Sequence, residues 1–164
     1  MEKIVVAIDD SEGALHALEF GQKFANQLGM DVSAISVVPA QDEIAARRVK
    51  LQERLSKHHC ETGELASRED TGLCMMAHGR RPVPEMLIGS VTAGVVRRAH
   101  RPVYLCGPRY DSRAHHRVEV LAVCVDGSKL SEQILPYASA LVKRLGARLQ
   151  LLQVMDAAAR KPTT

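Results

Sequence analysis

Two stretches of the chain combine small, polar and charged residues in a way that suits a ligand site, the second of them for an anion. One is Asp9-Asp10-Ser11, directly after the apolar run 4–8; the other leads from Ala77-His78-Gly79-Arg80, across nine residues, to Gly89-Ser90-Val91-Thr92. Glycine lets a backbone approach a ligand closely, and the N–H groups at a helix start attract negative charge. The N–H groups of Gly79, Arg80, Ser90 and Val91, with the Ser90 hydroxyl, are therefore candidates to surround phosphates, and Arg80 adds charge-assisted hydrogen bonds. Plainer roles stand beside these. Asp9, Asp10 or Ser11 can cap the following helix, and Gly89-Ser90 can serve as a close helix-packing point.

These residues need elements to hold them, and the hydrophobic pattern supplies a parallel sheet. The run 4–8 reads as a buried strand, and apolar residues at Ala14, Leu15, Leu18, Ala25 and Leu28 give a helix stopped by Gly29 in a left-handed cap. A second strand covers 32–38 and ends at Pro39. An exposed amphipathic helix follows from 42 to about 57, carrying Ile44, Val49, Leu51 and Leu55 among charged residues. Residues 58–71 are polar and weakly patterned. A strand at 73–76, a loop at 79–84, a helix at 85–99 and a strand at 103–106 complete this part. In such a sheet, ligands meet the carboxyl ends of the strands, which places Asp9, Val38 and the 77–91 stretch at one edge.

An internal repeat organises the rest. Residues 4–38 align without gaps on 121–155, pairing Asp9 with Asp126, Ser11 with Ser128, Leu18 with Leu135, Leu28-Gly29 with Leu145-Gly146, and Val37 with Val154. A second β-α-β unit with right-handed crossover is expected. It lacks a Gly-x9-Gly-Ser stretch, so it builds no full site from its own residues and reads as a structural or dimerising appendage. The expected organisation is a domain over 1–110 with a shortened middle, a partial repeat over 118–156, and a polar tail over 157–164.

Taken together, the opening strand, Ile8-Asp9-x-Ser11, Ala77-His78-Gly79-Arg80, Leu87-Ile88-Gly89-Ser90-Val91 and Arg101-Pro102-Val103 resemble the universal stress protein family over 3–38, 72–108 and 119–155. The resemblance implies an α/β fold with an open parallel sheet flanked by helices, Rossmann-like and of the adenine nucleotide hydrolase type, here abbreviated. It also implies ATP, with Mg as counter-ion, as the ligand. Asp9 would meet the adenosine end, Val38 and Met76 would lie at the same ligand edge, and Gly79, Arg80, Gly89, Ser90 and Val91 would meet the phosphates. The family's ATP-binding motif is Gly-x2-Gly-x9-Gly-Ser/Thr; this chain has Met76 at the first glycine, and Pro82 and Pro84 remove two N–H donors from the loop. ATP is accordingly expected to bind more weakly than in relatives with glycine there. The family sheet has five parallel strands, whereas Pro39 to Leu73 leaves room for one helix and little else, so a strand and a helix are expected to be missing.

Composition narrows the partners. The chain is 46% hydrophobic but 3% aromatic with no Trp, which argues against aromatic platforms for single-stranded nucleic acid. A net charge of +3, from 22 basic and 19 acidic residues, falls short of a dedicated nucleic-acid binder. Arg97-Arg98 suits a helix C-terminus. No signal-peptide pattern opens the chain and no apolar run has transmembrane length, so a cytoplasmic location without membrane contact is expected. Cys60, Cys74, Cys106 and Cys124 form no CxxC pair and read as reduced core residues. His58-His59-Cys60 and His115-His116 lack the spacing of a metal site, and none is expected. No general base or catalytic metal cluster is placed beside the phosphate loop, which points to a binder rather than an enzyme, slow ATP hydrolysis aside. The leading function is a stress-response adenine-nucleotide sensor or adaptor. The alternative is a family member without nucleotide, acting through a homodimer or another protein partner.

Overall fold

Ile4, Val5 and Val6 are at most 1% exposed and form the centre of β1 (Lys3–Ala7). Burial on both faces is what a β-branched run without alternation requires. The computed structural model describes residues 3–11, 13–37, 41–58, 60–62, 71–77 and 88–153. They fall in two units, Met1–His116 and Arg117–Thr164.

In the first unit, β1 is followed by α1 (Gly13–Leu28), β2 (Asp31–Ile35), α2 (Ile44–Leu55), β3 (Glu61–Thr62), β4 (Thr71–Met76), α3 (Ser90–Arg98) and β5 (Val103–Cys106). The five strands form one sheet in the order β3-β2-β1-β4-β5, and every neighbouring pair is parallel. The expected open parallel sheet with helices is therefore present. One expectation fails in detail: a strand does lie between Pro39 and Leu73. It is β3, two residues long, pairing Ser33 with Glu61 and Ala34 with Thr62. β2 stops at Ile35, short of the expected 38; Val38 lies outside the described residues. The helix expected over 85–99 is described from Ser90, and 85–87 also lie outside them.

α1 covers the sheet with Ala14, Ala17, Leu18, Gly21, Phe24, Ala25 and Leu28, all buried at helical spacing. Gly21 marks the closest approach: a Cβ there would stand 2.7 Å from Val6 Cγ2 and 3.5 Å from Cys74 Sγ. The helix ends at Gly29, whose φ is 65°. Gly29 N–H donates to Asn26 O at 3.2 Å and Met30 N–H to Ala25 O at 2.9 Å, the paired bonds of a Schellman cap. On the flank of α1, Phe20 stacks on Phe24 at 5.7 Å and meets Tyr110 edge-on at 5.5 Å, while Phe24 lies 4.7 Å from Tyr104. Tyr110 stacks in turn on His115, and the Lys23 ammonium donates to the carbonyls of Ser112 and His115. The segment after β5 is thus fastened along α1 by rings and by one cation.

The second unit holds β6 (Val120–Val125), α4 (Lys129–Glu132), α5 (Leu135–Leu145) and β7 (Arg148–Gln153). β6 and β7 pair in parallel from Val120 with Arg148 to Val125 with Gln153, giving the expected second β-α-β unit. Pro136, which aligns with Glu19, has no N–H to continue the helix, and the counterpart of α1 is split into α4 and α5. α5 ends as α1 does, at Gly146 with φ 60° and with Ala147 N–H donating to Val142 O at 3.0 Å. All of β7 is exposed, Leu151 by 55%.

Candidate functional site

The turn after β1 closes on itself and is then gripped from outside. Asp9 Oδ1 accepts the Ser11 N–H at 2.9 Å and also the Ser11 hydroxyl. Such a bond two residues on is what an aspartate forms when the chain must leave extended geometry. The grip comes from α2. Arg54 donates to Asp9 O at 2.7 Å and to Ser11 O at 2.5 Å. Arg47 spans both oxygens of Asp10 at 2.7 Å and reaches Ser36 Oγ, just beyond β2, at 3.0 Å. Lys50 stands 3.6 Å from the same carboxylate. The Arg47 hydrogen bonds hold the Asp10 carboxyl below its ordinary value.

The second half of the site follows β4. Ala77 N–H donates to Cys106 O, and Ala77 O accepts the Gly89 N–H, both at 2.8 Å, so the start of α3 is tied to the end of β4. Thr92, 3% exposed, repeats the tie from inside the helix through a 3.0 Å bond from its hydroxyl to Met76 O. Gly89 is the N-cap and brings no side-chain cap, while Ser90 and Val91 are exposed. Met76 leans toward the first turn: a Cβ on Gly13 would lie 3.5 Å from its terminal methyl.

β1 and β4 are neighbours in the sheet, so Asp9, Met76, Gly89, Ser90 and Val91 are delivered to the same carboxyl edge. Val38, Gly79 and Arg80 lie outside the described residues. Sequence reasoning missed Arg47 and Arg54. Their seven-residue separation puts them on one face of α2, which was a readable signal, but nothing in the pattern names a partner some forty residues away.

Thiol chemistry has little footing at the core cysteines, since burial pushes Cys74 up and raises Cys106 to about 11. Cys74 and Cys106 are buried and Cys60 is half-buried; Cys124 is exposed rather than a core residue, because β6 has little covering it. Among the described residues no three His, Cys, Asp or Glu side chains are grouped to hold a metal ion, and no helix is long and apolar enough to cross a membrane.

Residues 1–72 match the sequence model of the universal stress protein family. No curated protein matches the chain. Among solved structures, a universal stress protein from Archaeoglobus fulgidus DSM 4304 is similar, with a TM-score of 0.57 and 18% identity over 96% of this chain and 69% of that one. At that identity the likeness is one of fold.

Proposed function

We propose that the chain, whose residues 1–72 match the universal stress protein family, is a member of that family and a cytoplasmic stress-response sensor or adaptor that binds ATP, with Mg as counter-ion. The observation that carries this reading is the convergence of Asp9 with the start of α3 at one sheet edge, where Gly89 contributes no capping side chain and Ser90 and Val91 are exposed. The free N–H groups of an uncapped helix start donate to phosphate oxygens, and an exposed carboxylate accepts hydrogen bonds from the hydroxyl or amino groups of an adenosine. In this reading Asp9 meets the adenosine end, Val38 lies at the same ligand edge, and Gly79 and Arg80 join the phosphate contacts, as the family resemblance implies. Ligand binding shifts a conformational or assembly equilibrium rather than driving turnover.

A specific observation favours the second reading, association without nucleotide. The Met76 side chain sits against Gly13, where a glycine at position 76 would leave room. Leu149, Leu151 and Leu152 on β7 and Leu130, Ile134 and Tyr137 in the same unit are exposed by 38–77%, apolar surface suited to a second copy or another protein.

Calorimetric titration with ATP, with solution mass measured in parallel, separates the two. Met76→Gly is expected to tighten ATP roughly tenfold, and Ser90→Ala to weaken it by about 1 kcal/mol. ATP that fails to bind even Met76→Gly removes the nucleotide reading; a concentration-dependent mass with no effect of ATP establishes the association module.

A further inference from the structure

The molecule contains its own control for the turn that carries Asp9. In the second copy, Asp126 Oδ1 accepts the Ser128 N–H at 2.9 Å, the same bond at the same length as Asp9 with Ser11. What finishes the two turns differs. In the second copy Ser131 does it: its hydroxyl donates to Ser128 O at 2.9 Å, its N–H donates to Ser128 Oγ at 3.1 Å, and its hydroxyl oxygen accepts the Asp126 N–H at 3.3 Å. The residue aligned with Ser131 is Ala14, which has no hydroxyl, and its N–H reaches Ser11 O only at 3.4 Å. The Ser11 carbonyl instead accepts from Arg54, which also holds the Asp9 carbonyl, and Asp10, aligned with Gly127, is clamped by Arg47.

We propose that Arg54, assisted by Arg47, is a positioning residue of the nucleotide site: α2 holds the Asp9 turn from outside, replacing the local serine chemistry that the second copy retains. The proposal rests on the nucleotide reading above for what the positioned carboxylate meets, but the clasp itself is independent of any ligand. Asp9 Oδ1 is occupied by Ser11, so among the described residues Oδ2 is the acceptor the turn presents, and its direction is set once both turn carbonyls are fixed by a planar guanidinium. Fixing it before binding spares the ligand the cost of ordering the turn. α2 thereby becomes the element through which a change in the middle of the first unit reaches the site.

The test compares the full-length protein with Arg54→Ala, Arg54→Lys and the double variant Arg54→Ala/Ala14→Ser, in which the new hydroxyl stands where Ser131 stands in the other copy. Two readouts are taken: hydrogen exchange at the Ser11 amide, and calorimetric affinity for ATP and for inorganic triphosphate. Arg54→Ala is expected to speed Ser11 exchange about tenfold or more. It should weaken ATP by about tenfold while leaving triphosphate within about twofold. Lysine, a point charge in place of a fork, recovers only part of this. Adding Ala14→Ser restores both the Ser11 protection and the ATP affinity. Unchanged Ser11 exchange in Arg54→Ala overturns the clasp. Equal losses for ATP and triphosphate overturn the positioning role by showing that Arg54 meets phosphate. Wild-type protein that binds no ATP removes the nucleotide reading and with it the positioning role, and Ser11 exchange then decides the clasp alone.

Discussion

In the first copy of the β-α-β unit, one continuous sixteen-residue helix lies on a five-stranded sheet, and its first turn is held by a neighbouring helix; in the second, two shorter helices lie on two strands, and the turn is held by its own serines. The strand, the Asp-x-Ser bond and the left-handed glycine cap recur in both. These recurring parts need only residues close in sequence. The parts that differ depend on what lies beside the unit. Gly21 is tight because Val6 and Cys74 press on it, while its counterpart Ala138 already carries a Cβ and is still 4% exposed. Ala17, fully buried on the sheet-facing side of α1, has as its counterpart Ile134, which is 47% exposed.

The sharpest way to strain this comparison is at the helix–sheet contact. Gly21→Ala is expected to destabilise the first unit by about 1–3 kcal/mol, because the new Cβ has no room beside Val6. Ala138→Gly should cost about 1–2 kcal/mol in the second, from lost helix propensity together with the loss of one buried methyl. Chemical denaturation of the two variants checks both values, and a harmless Gly21→Ala would mean that the two helix–sheet contacts are equivalent after all. The next effect should be the same in both copies. Gly29→Ala and Gly146→Ala each place a Cβ at a φ of 60–65° and should each cost about 1–2 kcal/mol, read by hydrogen exchange at amides of the affected helix. Unequal costs would show that the caps are not independent of their surroundings.

The smallest effect is electrostatic. Asp126 is lowered from 3.8 to about 2 by the Ser128 hydroxyl and amide, with Ser131 adding to it. Its carboxyl is therefore bonded more strongly in the folded state when charged. That contribution is fully present above the ordinary value of 3.8 and is lost as pH falls toward 2. Carboxyl resonances followed by NMR should place its midpoint near 2, and Ser128→Ala should move that midpoint upward. Asp10 depends on Arg47, so Arg47→Ala should raise Asp10 and leave Asp126 in place. An Asp10 that ignores Arg47 would erase the distinction between a turn gripped from outside and one closed locally.

Much of this was legible because it is local. Val5 and Val6 in an unbroken apolar run, Leu28-Gly29 and Leu145-Gly146 after helical spacing, and the 4–38 to 121–155 repeat each specify their element within a few residues. β3 was not legible, since two residues cannot show an alternation, and Glu61–Thr62 becomes a strand only by pairing with Ser33 and Ala34. Pro136 carries the signal for the split of the second helix, which a gapless repeat alignment does not show. In the site, Asp9 and Gly89-Ser90 were readable as the ends of strands and the starts of helices. Arg47 and Arg54 looked like the solvated face of an exposed helix, because charge pattern alone does not say which cations the fold turns toward a carbonyl.

The ring cluster along α1 gives the molecule a built-in optical asymmetry. With no Trp, the near-ultraviolet signal rests on tyrosine and phenylalanine. Tyr104 and Tyr110 are set among Phe20 and Phe24 in the first unit, whereas Tyr137, the tyrosine of the second, is 74% exposed. Fixed rings in an asymmetric setting give near-ultraviolet circular dichroism and freely turning ones give little. The dichroic band therefore belongs to the first unit, and Tyr137 answers to collisional quenchers in solvent, so one unlabelled sample reports the two copies in separate channels.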